Sequence, residues 1–210
     1  MTIVGDLMQA SSDAQSMSLD RFTATYDIPT LVAAHRSHEQ DPDSGWTSAL
    51  HGALRNPGSS ARFDLANLLL DHGWPVGRVA LLIQFEAYNP FGGRRGHADP
   101  RRDAELAARL LAAGADANYL ERRGSRPLLL LMNSRFSDAE LQPIYDVLLA
   151  SGRLEPGRQD TSGDSVLRRL WRDTTRVNRN SLAQQLLAYM REHDQPIPAL
   201  GSDHRRNLPL

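Results

Sequence analysis

The sequence predicts an all-α fold, a solenoid of about four helix pairs with loop insertions, preceded by an N-terminal helical cap. Three observations carry this. An apolar helix end followed by glycine, or by aspartate in the last case, recurs at Gly73, Gly114, Gly152 and Asp194, 38 to 42 residues apart. A second signal, a glycine turn leading into a short apolar helix, recurs between those ends. The chain has 210 residues, 40% of them hydrophobic, enough to bury a continuous core without metal or disulfides.

Residues 1–18 read as a flexible N-terminus. They carry no basic region and no sustained apolar run, so they do not form a secretory signal. Residues 19–43 read as the helical cap, with Pro29 near the first turn of Thr30-Leu-Val-Ala-Ala-His35. An end repeat needs a polar-faced unit of this kind to shield its core from water.

Residues 44–197 hold the repeats. The helix ends are Leu68-Leu-Leu-Asp-His-Gly73, Leu110-Leu-Ala-Ala-Gly114, Leu148-Leu-Ala-Ser-Gly152 and, more weakly, Tyr189-Met-Arg-Glu-His-Asp194. Glycine just past a helix end takes the left-handed conformation without a Cβ clash, and aspartate tolerates it. The helix starts are Ser48-Ala-Leu-His51, Arg126-Pro-Leu-Leu129 and Ser165-Val-Leu-Arg168, each after a turn holding Gly45, Gly124 or Gly163. Second helices open at Asp103 and at Ser137-Asp-Ala-Glu140, the latter a capping box. Residues 198–210 contain two prolines and little core potential, and read as a flexible tail.

This alternation resembles the ankyrin repeat, whose consensus joins Gly-x-Thr-Pro-Leu-His-x-Ala to a second helix ending Leu-Leu-Leu-x-x-Gly-Ala-Asp-Val-Asn. The matching residues are Leu50-His51-Gly52-Ala53 with Leu68 to Gly73, and Gly114-Ala-Asp-Ala-Asn118. The ankyrin period is about 33 residues. The units here are longer, through insertions at Asn56-Pro-Gly-Ser-Ser60 and Asn89 to Arg102, and Arg78 to Tyr88 lacks the helix-start motif. The resemblance implies a structural hydrogen bond for the His51 side chain and a protein partner met by the concave face and hairpin tips. On that basis the candidate contact residues are Trp46, Trp74, Tyr119, Arg122, Arg123 and Arg158.

The loop from Asn89 to Arg102 adds Phe91, Arg94, Arg95, Arg101 and Arg102. It reads as a clamp on an acidic partner surface, as a phosphate contact, or as an insertion with no specific role. Arg168, Arg169, Arg172, Arg176 and Arg179 form a second basic group, read as a solvated face around a core Trp171.

Composition excludes several chemistries. Cysteine is absent, which removes disulfides, thiolate zinc sites and cysteine nucleophiles. No phosphate loop, nucleophile elbow, zinc-protease or dinucleotide motif is present, so the chain reads as a non-enzyme with no cofactor or metal. His35 and His38 could meet on one helix face but lack a third ligand, and read as solvent-facing. His72 and His193 read as helix C-terminal caps.

The net charge is −1, against general nucleic-acid binding, which stays as the alternative through the arginine groups. The longest apolar run, Pro127 to Met132, is too short to span a bilayer. The expected molecule is a cytoplasmic monomer that binds a protein. All 24 basic residues are arginine. Two readings of that stay open: a codon bias, or selection against lysine tagging in a protein delivered into a host cell. Within the binding class, an immunity-type protein neutralising a cognate toxin is the first expectation and an effector acting on host proteins the second.

Overall fold

A computed structural model of the chain describes residues 3–37, 48–89, 98–122, 124–160, 162–172 and 179–198. Among them there are helices and turns but no strand. Three helices come first: α1 (Ile3–Ser16), α2 (Leu19–Thr25) and α3 (Ile28–Ser37). Four pairs follow, each a short helix and then a long one. The short helices are α4 (Ala49–Leu54), α6 (Ala80–Phe85), α8 (Pro127–Met132) and α10 (Val166–Arg172); the long ones are α5 (Ser59–Asp71), α7 (Pro100–Ala112), α9 (Asp138–Ala150) and α11 (Asn180–Glu192).

Every long helix has 13 residues, about 20 Å at 1.5 Å per residue. The short helices form an inner row, α4 on α6 on α8 on α10, and the long ones an outer row, α5 on α7 on α9 on α11. Sequence explains the division. Pro127-Leu-Leu-Leu-Leu-Met132 is apolar on all sides and is buried on all sides. In α7, by contrast, Leu106, Leu110 and Leu111 face inward with Ala104 and Ala107. Arg101, Glu105 and Ala108 are exposed and Arg109 is half-buried, the one-sided pattern of a half-exposed helix.

The repeat ends close as their residues require. Gly73, Gly114, Gly152 and Asp194 all have positive φ, between 51° and 110°. At the first two, the residue after the glycine donates its N–H five residues back, Trp74 to the Leu69 carbonyl and Ala115 to the Leu110 carbonyl, both at 2.9 Å. This pattern satisfies helix-end carbonyls that would otherwise stay unpaired. Ser137 and Glu140 form the capping box that opens α9.

The N-terminus departs from expectation. Residues 1–18, read as flexible, contain α1, which packs on α4 and buries Leu7, Ala10 and Ala14. Its apolar stripe is made mostly of alanine, so it escapes a search for large hydrophobics. Small residues serve there because the helices lie close: a Cβ on Gly52 would collide with the Ser11 carbonyl oxygen. The buried Asn56 amide then donates to the carbonyls of Ala14 and Met17, both at 2.9 Å, and sews the end of α1 to the α4–α5 turn. The cap therefore includes α1 as well as α2 and α3.

Two buried arginine–aspartate pairs lock the outer row. Arg62 of α5 reaches Asp103 of α7 at 2.9 Å, and Tyr88 and Gln84 donate to the same carboxylate at 2.8 and 3.2 Å. Burial pushes the Asp103 carboxyl upward, against the pull of Arg62 and these donors. At the other end, Arg179 meets Asp138 at 3.0 Å and donates to the carbonyls of Leu131, Met132, Ser134 and Phe136. The sequence places Arg179 on a solvated face. It is instead 7% exposed, because its fork fits the carbonyls at the end of α8 and in the turn that follows.

Candidate functional site

The loops that follow the outer helices are tied one to the next. Arg36 donates to the Gly73 carbonyl at 2.6 Å, and the Asp116 N–H to the Arg78 carbonyl at 3.1 Å. Asn118 donates to the Arg153 carbonyl at 2.6 Å and accepts the Glu155 N–H at 2.8 Å; Gln195 donates to the Leu154 carbonyl at 2.7 Å. Within Gly114-Ala-Asp-Ala-Asn118, the Asp116 carboxylate accepts the Asn118 N–H at 2.8 Å, which holds the asparagine in position to bridge.

Beyond these ties, two hairpin tips stand side by side. Glu121 N–H bonds the Ser125 carbonyl at 3.0 Å, and Asp160 N–H bonds the Asp164 carbonyl at 2.7 Å. Gly124 and Gly163 turn the tips with φ of 83° and 77°. The Asp160 carboxylate takes the Ser162 hydroxyl, the Ser162 and Asp164 N–H groups and Arg169, which hold its pKa well below the usual carboxylate range. Asp164 takes Arg169 at 3.0 Å and also Arg172. Arg126 spans the tips, donating to the Arg158 carbonyl at 2.8 Å.

The candidate residues fall into three groups. Tyr119, Arg122 and Arg158 lie on this edge, Tyr119 partly buried and the two arginines exposed. Trp46, Phe91, Arg94, Arg95 and Arg123 lie outside the described residues, as do His38 and Arg176. The third group is placed elsewhere. Trp74 is 2% exposed, its ring edge-on to His35 at 4.6 Å in the joint between cap and first pair, so it is core and not a contact residue. Arg101 and Arg102 open α7, and Arg102 covers the Phe63 ring at 4.3 Å beside Asp64. They sit where an inner helix passes to an outer one, the opposite end of the pair from the tips. The two sets do not form one surface.

The histidines divide as well. His72 and His193 each place Nδ1 2.9 Å from the carbonyl four residues back, as capping groups do. His35, which the sequence places toward solvent, is 5% exposed against Trp74. His51 is fully buried, and neither ring nitrogen has a partner. Its backbone N–H bonds Ser48 Oγ at 3.3 Å, so the side-chain hydrogen bond implied by the resemblance is not there. Burial, with Arg55 and His35 adding to it, lowers the His51 pKa to about 4.

Sequence reading misses Arg126 as a tip residue. The signal is present: Ser48, Arg126 and Ser165 stand at the same place before an inner helix. Elsewhere, Ala108, Leu111, Ala112, Val147, Ala150, Ser151 and Arg153 line an open groove of about 320 Å³ between α7 and α9. Among the described residues, no three potential ligands gather to hold a metal ion, and no helix is long and apolar enough to cross a membrane.

No protein-family model matches the chain, and no curated protein does. Among solved structures it is similar to the crystal structure of a functionally unknown protein from Leptotrichia buccalis C-1013-b, with a TM-score of 0.62 at 17% identity, over 93% of this chain and 100% of that chain. At that identity the likeness shows the fold alone.

Proposed function

We propose that the chain is an ankyrin-type repeat protein that binds a protein partner along its edge of hairpin tips. One observation carries the reading: the tips at Glu121–Ser125 and Asp160–Asp164 are closed by the same backbone bonds, 39 residues apart, and are tied through Arg126. A row of tips held at fixed spacing loses little conformational freedom on binding, which favours affinity. Among the shifted groups, Asp103, Tyr88, Tyr145 and Asp160 hold helices or turns, and His51 is enclosed in the core.

The test is an affinity pull-down from the source organism's lysate, with a Tyr119→Ala, Arg122→Ala, Arg158→Ala triple variant alongside. A single stoichiometric protein, lost with the variant, supports the reading. A captured toxin then assigns an immunity role, and a captured host protein an effector role. Capture of nucleic acid alone, or equal capture by both proteins, overturns the tip assignment.

A further inference from the structure

We infer that Arg168, Arg169 and Arg172 on α10 receive an acidic peptide segment of the protein partner, an inference that rests on the binding reading above. The inner row supplies the contrast. Helices α4, α6 and α8 contain no arginine and are buried on every side. The last inner helix, α10, differs from them. Val166, Leu167, Leu170 and Trp171 are buried, whereas Arg168 and Arg169 are half-buried and Arg172 is exposed. At 3.6 residues per turn the three arginines fall within an arc of about 100°, one face of the helix.

Two carboxylates beneath this face fix its shape. Asp160 accepts Arg169 Nη2 at 2.7 Å, and Asp164 accepts Arg169 Nε at 3.0 Å and also Arg172. The two acid side chains are 5% and 15% exposed, those of Arg169 and Arg172 36% and 51%. An approaching group therefore meets guanidinium, with the countercharge behind it. Arg168 donates to the Gly163 carbonyl at 3.0 Å, which sets it beside the same tip. Arginines held in this way lose little rotamer freedom when a carboxylate arrives, and they take it with charge-assisted hydrogen bonds. The face also adjoins the tips: a Cβ on Gly124 would lie 3.7 Å from Arg169 Nη2. A segment crossing the Glu121–Ser125 tip thus comes next to Arg169.

The dimensions favour a peptide over a nucleic acid. From Arg168 to Arg172 the helix rises about 6 Å, room for one or two carboxylates. The other inner helices offer no arginine to continue the track, and Glu121 and Glu155 stand exposed on the tips. A phosphate backbone carries charge at every nucleotide and would run onto those acids, whereas a peptide places its carboxylates singly.

The probe is a labelled decapeptide carrying four glutamates, titrated by fluorescence polarisation against the glutamine version and a labelled single-stranded DNA 20-mer. The glutamate peptide binds about tenfold or more tightly than the glutamine peptide, and an Arg168→Gln, Arg172→Gln double variant removes the difference. The variant melts with the parent, because Arg169 still pairs both buried carboxylates. Salt supplies a measurement that needs no variant: raising it from about 0.05 M to about 0.5 M weakens the glutamate peptide by about tenfold or more, since the arginines are open to solvent. Equal binding of both peptides, a preference kept by the double variant, tighter binding of DNA, or a flat response to salt overturns the assignment. It also falls, with the binding module intact, when the pull-down partner is lost with the tip variant but captured equally by the double variant. No partner captured by the parent chain overturns the binding reading itself.

Discussion

Acid should loosen this fold through His51. The ring titrates at about 4 in the folded chain against 6.5 for the free side chain. A lowered pKa means the folded state favours the neutral ring, so its stabilisation is complete above pH 6.5 and is lost as pH falls toward 4. At about 1.36 kcal/mol per pKa unit, the full effect is about 3.4 kcal/mol, and about 2 kcal/mol of it is lost between roughly pH 7.5 and pH 5. The comparison is with His51→Leu, which fills the site without titrating. Urea unfolding at both pH values reads the difference, about 1 M in midpoint for an m-value of about 2 kcal/mol/M. The lowered His35 is present in both proteins and cancels to first order. Equal pH dependence in parent and variant, within about 0.5 kcal/mol, refutes the reasoning.

Other perturbations test other joints. Arg179→Gln strands Asp138 and several helix-end carbonyls, and lowers stability by about 3–5 kcal/mol in urea unfolding; a loss under about 1 kcal/mol would contradict the burial described. Gly52→Ala forces α1 off α4 and costs about 1–3 kcal/mol, with faster hydrogen exchange confined to residues 3–16 and 49–54. Asn118→Ala removes two bonds between neighbouring loops and costs about 1–2 kcal/mol by thermal melting, while a neutral result would mean the loops hold without it.

Legibility follows range. Gly73, Gly114, Gly152 and Asp194 are readable because a helix end needs its left-handed residue within a few positions of the last apolar turn. The capping box at Ser137 is equally local. The α1 helix is not readable, because its face is alanine, whose burial depends on the distant Gly52. By residue type Arg62, Arg126 and Arg179 belong on the surface, and only their distant acceptors make burial possible. Trp74 misleads for the reverse reason: its proximity to a turn is visible in the sequence, and the ring of His35 waiting across the joint is not.

The buried arginine–aspartate pairs act at two joints of the outer row. They join α5 to α7 and α9 to the start of α11, with bonds that fix direction as well as distance. Between α7 and α9 the joint is close packing of two helices, with Ala108, Ala112 and Ala150 lining the open groove beside it, and interdigitated side chains resist sliding as well as separation. The Asn118 bridge pins one margin of that seam. The outer row is thus held along its length, by buried ion pairs at two joints and by close apolar packing at the one between them. Spin-label distances between α7 and α9 should therefore spread no more widely than those between α5 and α7, although only the second joint carries a buried arginine–aspartate pair.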